Sequence, residues 1–316
     1  MDEFDFYPQK PDLIERESRG SLSSTIFSMV LFVMVFLFVF ADSVRFVAML
    51  LIVLVIHELG HYIMMKRFKY KNVRMLFIPL MGAFVSGSKS EYSQKQSFFM
   101  IAAGPMPGIL IGSLLILFSQ SFDSTAMFNF GLIFSVLNLL NLVPLDPLDG
   151  GQLFKLLLRK NHELLLLVFA FFSSLIIIAS GWFLDSYILI IFGFLMGFRV
   201  RSLQKRYQMH KDCIEEEVNF RITYKKLTNK EFSKIKTIVL QHTPTLAKYI
   251  EFADSSEVES LLASQVNSVL VTPTVKDTSL VFRIILVLFW ILCFLSPIIL
   301  FYTIDKTWIE YAVSNW

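Results

Sequence analysis

Residues His57-Glu58-Leu59-Gly60-His61 place two imidazoles four positions apart, so on a helix both lie on one face and can hold a single metal ion. Glu58 beside them has the chemistry of a general base. The eleven residues before the motif, Phe46 to Ile56, read FVAMLLIVLVI. Two histidines and a carboxylate are costly in a membrane span, and such residues there mark a functional site by default. A catalytic zinc takes three protein ligands and a water, so one ligand is still to be found. The segment Asn138-Leu-Leu-Asn141-Leu-Val-Pro144-Leu-Asp146-Pro147-Leu-Asp149-Gly150-Gly151 ends another apolar run and offers two carboxylates, Asp146 and Asp149. Its prolines stop a regular helix and its paired glycines allow a tight turn, so either carboxylate can point back into a helix bundle.

Composition sets the surroundings of this chemistry. Of 316 residues 55% are hydrophobic, 33 are Phe, and only 17% are charged, which points to a multi-span membrane protein rather than a soluble domain. A net charge of +3 gives no footprint for nucleic acid. The two cysteines, Cys213 in polar sequence and Cys293 in apolar sequence, do not make a disulfide framework. The first twenty residues are acidic and mixed in charge and lack the basic start of a cleavable signal, so the first apolar run is expected to remain as a span.

The expected fold is an α-helical polytopic membrane protein with about seven transmembrane helices, a re-entrant β-hairpin-like segment and a small cytoplasmic helical domain. The apolar segments are 25–41, 46–65, 97–118, 127–145, 163–181, 184–200 and 281–302, each near the length needed to cross a bilayer. Gly104-Pro105-Met106-Pro107-Gly108 should kink or break the third, and Gly181 and Asp185 could turn 163–200 into one long hairpin. Lys66, Arg67, Lys69, Lys71, Arg74, Lys89 and Lys95 follow the second segment. Lys155, Arg159 and Lys160 follow the fourth, and Arg199, Arg201, Lys205 and Arg206 end the sixth. The intervening loops, Asp42 to Arg45, Ser119 to Ala126 and the turn at Asp185, are short and nearly free of basic residues. By the positive-inside rule the basic side is cytoplasmic. The expected organisation is a cytoplasmic tail 1–24, a membrane core 25–200, a cytoplasmic soluble segment 201–279, a last transmembrane helix 280–302 and an external tail 303–316. HELGH then lies about 6–12 Å from the cytoplasmic end of its helix.

Residues 73–87, VRMLFIPLMGAFVSG, are too short and too punctuated by Pro79, Gly82 and Gly87 for a span. They fit a re-entrant hairpin, which is allowed at membrane depth where it lines a cavity. An interfacial loop is the plainer alternative. In 201–279, Thr228-x-x-Glu231 reads as a capping box. His210 and His242 read as surface histidines, His162-Glu163 as an interfacial cap, and Gly60 as a point of close helix approach.

These motifs resemble the site-2 protease family of intramembrane zinc metalloproteases, which combine HExxH in one membrane helix with an LDG motif in a later one. The resemblance covers about residues 46–155 in specific motifs: HELGH at 57–61, Asn141-Leu-Val-Pro144, Leu148-Asp149-Gly150-Gly151, Gly82-Ala83-Phe84-Val85 and Ala103-Gly104-Pro105. It implies one Zn2+ per chain held by His57, His61 and Asp149, with Glu58 as catalytic base. It also implies Asn141 and the edge strand Gly82, Ala83, Phe84 and Val85 as substrate-binding residues. The implied partner is a single-span membrane protein such as a membrane-tethered transcription regulator or anti-sigma factor, and the implied location a bacterial cytoplasmic membrane. Two departures stand out. Asp146 occupies a position that is usually uncharged, where a solvated loop residue is expected and an acceptor for a ligand imidazole is the alternative. Met106-Pro107-Gly108 stands where many relatives carry an Asn. The segment 201–279 is too short for a tandem CBS module, and the outward loops are too short for a PDZ domain. Two other readings compete. A catalytically silent relative would bind membrane proteins without cutting them. A metal transporter would use HExxH as a pathway site, although no second such segment marks repeated halves.

Overall fold

The computed structural model describes residues 7–13, 22–39, 44–79, 82–157, 163–250, 255–275 and 277–314. In chain order its main elements are α1 (Leu22–Val39), α2 (Val44–Arg67), β1 (Lys71–Ile78), β2 (Gly82–Ser88), α3 (Gln94–Ala102), α4 (Pro105–Ser119) and α5 (Thr125–Asn141). They continue with α6 (Asp149–Leu157), α7 (Glu163–Phe183), α8 (Tyr187–Glu215), α9 (Asn229–His242), α10 (Pro244–Ile250), α11 (Ser255–Val269), α12 (Leu280–Thr303) and α13 (Lys306–Ser314). The expected loop at 42–45 falls partly outside the described residues, as do Arg159, Lys160 and His162.

Among the described residues four stretches are long and apolar enough to cross a membrane: Val44–Arg67, Gln94–Ser119, Glu163–Phe183 and Leu280–Leu300. The helices at 22–38 and 125–141 are apolar but shorter. The sequence predicts seven crossings, and the difference lies in these two and in α8. The apolar start of α8 gives way at Arg199 to charged sequence without the helix ending. The Gln94–Ser119 stretch breaks between α3 and α4, where Pro105, lacking an N–H, sits in the first turn of the new helix.

One compact unit takes in residues 18–89, 93–161 and 276–316. In α2 the buried residues Val47, Leu50, Val53, His57, His61 and Met65 recur every three or four positions, so the motif histidines share the face that packs inward. Gly60, on the same helix, meets the start of α4. A methyl at its Cα would lie 1.8 Å from the Ala103 carbonyl oxygen. β1 and β2 pair antiparallel, with Met75 opposite Val85, Phe77 opposite Ala83 and Ile78 opposite Gly82. Gly82 begins β2 at φ +93°, a conformation that glycine adopts without strain. The outer edge of β1 is closed by α1: Thr25 Oγ1 donates to the Met75 carbonyl (2.8 Å), and the Phe77 N–H donates to Ser28 Oγ (3.2 Å). Near the C-terminal end of α5, Trp290 Nε1 of α12 donates to the Leu142 carbonyl (2.7 Å), one of the acceptors that a helix end leaves over.

The other unit takes in residues 1–17, 90–92 and 162–275. α7 and α8 form an antiparallel hairpin through a turn at Asp185, with Ser174 Oγ donating to the Gly193 carbonyl (2.8 Å). The later segment has a core of its own around Phe220, Tyr224, Phe232, Ile235, Val239 and Val266. Thr228 and Glu231 form the expected capping box of α9. The residues before α1 are tied to this core. Lys10 Nζ donates to the carbonyls of Tyr224 (2.9 Å) and Leu227 (2.5 Å), and the Tyr224 hydroxyl donates to the Pro11 carbonyl (2.7 Å).

His210 corrects the sequence reading. It is buried rather than at the surface, stacked on Phe220, with Nδ1 donating to Glu163 (2.8 Å) and Nε2 to the Val269 carbonyl (2.7 Å). The polar residues around it in sequence lie on the other face of α8. His242 is partly exposed and donates to Asp212 (2.6 Å).

Gly60→Ala should destabilise the protein by about 1–3 kcal/mol, because a backbone carbonyl cannot retreat as a side-chain end can. Gly197→Ala, with nothing within 4 Å of the added methyl, should be neutral or mildly stabilising. Thermal unfolding of the two variants in detergent measures the contrast.

Candidate metal centre

α2 presents His57 and His61 one turn apart, and the turn after α5 brings Asp149 to them. That turn is tight. A methyl on Gly150 would stand 2.0 Å from the Leu142 carbonyl oxygen, and one on Gly151 2.4 Å from that of Leu145. Only glycine lets the chain fold back so closely that the first residue of α6 faces α2. The result is a triangle of three atoms. His57 Nε2 and His61 Nε2 are 3.1 Å apart, and Asp149 Oδ2 lies 3.0 Å from the first and 3.2 Å from the second. Among the described residues this is the one group of at least three histidine, cysteine or acidic side chains placed to share a metal ion.

The other face of each imidazole is also occupied. His57 Nδ1 donates to Asn138 Oδ1 (2.7 Å), and His61 Nδ1 donates to the Met100 carbonyl (2.8 Å). Both acceptors are oxygens, so Nδ1 carries the proton and Nε2 keeps its lone pair toward the triangle. Asn138 is itself fixed, since its Nδ2 donates to the Phe134 carbonyl (2.7 Å) and it is completely buried. Three electron-rich atoms about 3 Å apart repel one another unless a positive charge lies among them. Zinc bonds of about 2.0–2.2 Å in a tetrahedron give edges of about 3.3–3.6 Å, slightly wider than those observed. The donor set, two nitrogens and one carboxylate oxygen, therefore fits a zinc ion.

Glu58 is buried beside the triangle. Its carboxylate accepts a hydrogen bond from the backbone of Val85, and its Oε2 is buried without a partner. Val85 belongs to β2, so of the expected edge-strand residues Val85 meets the candidate base through its backbone. The junction of α3 and α4 closes the other side. A methyl on Gly104 would stand 2.2 Å from His61 Nε2, and one on Gly108 2.0 Å from Asn138 Nδ2. The departure at Met106-Pro107-Gly108 thus has a physical counterpart, because Asn138 enters the space that Gly108 leaves.

One expectation needs revision. Asp146 is not a solvated loop residue: it is 2% exposed and ion-paired with Lys155 of α6. Asn141, expected to bind substrate, ends α5 half-buried. The amide that bonds His57 is that of Asn138, one helical turn earlier, which the sequence reading did not single out. Its signal was an amide in an apolar run, one turn from the motif asparagine.

Residues 45–127 match the sequence model of Peptidase family M50. Over that stretch the chain is similar to this family, and its long apolar helices mark it as an integral membrane protein. Among its relatives is a zinc metalloprotease of Methanocaldococcus jannaschii, 28% identical over 147 residues, which are 45% of this chain and 38% of that protein. The stage IV sporulation protein FB of Bacillus subtilis is 29% identical over 119 residues, 35% of this chain and 40% of that one. The chain thus spans about two fifths of the length of each. A solved structure, the site-2 protease from Methanocaldococcus jannaschii, aligns with 56% of this chain and 87% of its own, at 25% identity and a TM-score of 0.43.

Asn138→Ala should leave the fold intact and weaken zinc binding by about 10–100-fold, the usual effect of removing a group that orients a ligand imidazole. Competition with a chromophoric chelator on the purified protein measures it.

Proposed function

We propose that this protein is an intramembrane zinc metalloprotease that hydrolyses a peptide bond in or near the transmembrane helix of a membrane-anchored substrate. The observation that carries the reading is the triangle of His57, His61 and Asp149 beside a buried carboxylate oxygen of Glu58 that has no partner. The family match and the zinc metalloprotease among the relatives support it. A silent relative is less well supported, since every residue the reaction needs is present.

His57, His61 and Asp149 would hold one zinc ion, which when bound supplies Lewis acidity to a water and to the scissile carbonyl. Glu58 takes a proton from the attacking water as the carbon–oxygen bond forms. It returns the proton to the leaving nitrogen as the carbon–nitrogen bond breaks. Asn138 and the Met100 carbonyl keep both imidazoles turned with Nε2 toward the reaction.

A substrate helix hides its carbonyls in its own hydrogen bonds and must unwind to be cut. The edge of Gly82, Ala83, Phe84 and Val85 would receive the extended segment as an added strand. The closure of β1 by α1 leaves β2 as the open edge, and Asn141 would add hydrogen bonds to the substrate from the end of α5. The positive-inside pattern supports a cytoplasmic N-terminus and a cytoplasmic helical domain, which sets the site near the cytoplasmic face of a bacterial membrane. Membrane-tethered transcription regulators and anti-sigma factors are the substrate classes that this placement suits.

Elemental analysis of purified protein should find about one zinc per chain in the wild type and none in His57→Ala or Asp149→Ala. Glu58→Gln should keep the zinc and lose hydrolysis. A well-folded wild type without metal would overturn the reading. Once a substrate is in hand, a span rich in Gly or Pro should be cut faster than a poly-Leu span, and equal rates would refute the unwinding requirement.

A further inference from the structure

We infer that Asp146 and Lys155 form a buried ionic strut that positions Asp149 for the metal, although neither residue belongs to the ligand set. The inference rests on the metal-site reading above and concerns how this chain builds its third ligand. Asp149 stands where the loop after α5 becomes α6, and a loop residue there must be held from both sides to keep its carboxylate in the triangle. Asp146 supplies the loop side. It lies three residues before Asp149, and its side chain is 1% exposed. Lys155 supplies the helix side. It lies six residues after Asp149 on α6, and its ammonium donates to Asp146 and stands 3.5 Å from Gln152 Oε1. The pair therefore clamps the loop to α6 across the residue between them.

The charge logic points the same way. A carboxylate so deeply buried is tolerated only with a partner, and breaking such a pair is more disruptive than never having had it. Two carboxylates three residues apart are both candidates for one metal. The ammonium of Lys155 engages Asp146, while Asp149 faces the imidazoles at 3.0 and 3.2 Å. The strut thus also decides which carboxylate stays available. The backbone adds little freedom to compensate, because Gly150 and Gly151 are pressed against the Leu142 and Leu145 carbonyls. A shift of the loop would be transmitted directly to Asp149.

The test is zinc affinity by chelator competition, read beside the thermal unfolding of the metal-free protein, for wild type, Asp146→Asn, Lys155→Met and Lys155→Arg. Asp146→Asn and Lys155→Met should each weaken zinc binding by about 10–100-fold, and Lys155→Arg, which keeps the pair, should stay within about threefold of wild type. Rescue by Arg separates positioning from general loss of packing. Zinc affinity unchanged in folded Asp146→Asn and Lys155→Met would overturn the strut, as would Lys155→Arg falling as far as Lys155→Met. If Asp146→Asn does not fold, the two Lys155 variants decide, since that side chain is 24% exposed and tolerates change more readily. A wild type that binds no zinc would instead refute the metal site itself.

Discussion

Three atoms with lone pairs held about 3 Å apart are the constraint on which the rest of this structure depends. His57 Nε2, His61 Nε2 and Asp149 Oδ2 lie 3.0–3.2 Å from one another. Groups on their far sides hold them in that arrangement. Asn138 and the Met100 carbonyl take the Nδ1 protons, so each imidazole has one orientation and one tautomer. The turn at 142–151 does the same for the carboxylate. A preorganised cluster of this kind binds a cation without a further ordering cost, which is how a site in a low-dielectric setting can hold a metal tightly.

The helices around the site are arranged to supply those far-side groups. α5 brings Asn138, α3 brings Met100, and α6 begins at Asp149, so three elements distant in sequence converge on one turn of α2. The convergence is possible because backbone stands where side chains would usually be. Gly60, Gly104 and Gly108 each face an atom of the site or its frame at a distance that a methyl group could not share. In a membrane, where helix association rests on close contact rather than on the hydrophobic effect, such small residues are what let helices approach. The hairpin β1–β2 uses a different device. α1 caps one edge with two hydroxyls, and the other edge reaches the Glu58 carboxylate through Val85.

The unit that contains 162–275 has a separate logic. Its core is built from the apolar faces of short helices, and charged or polar groups are used as ties. Lys10 gathers the carbonyls at the end of a short 3-10 turn, and His210 spans Glu163 and Val269 with both ring nitrogens. Such ties are specific because each leaves a buried polar atom unsatisfied when broken.

The sequence by itself determined the chemistry. HELGH inside an apolar run, followed by two carboxylates in a segment with proline and glycine, named both histidines, the general base and a pair of candidates for the third ligand. Local motifs also marked the break at Gly104–Gly108, the hairpin after α2 and the capping box of α9, since each depends on residues near in sequence. Tertiary structure alone decided what depends on distant partners. It made Asn138 the partner of His57, because that contact turns on which face of α5 meets α2. It buried Asp146 and His210, which look solvated in sequence, because Lys155, Glu163 and the Val269 carbonyl satisfy them. A residue type announces what it can do; whether it does so depends on which atoms the fold sets opposite it.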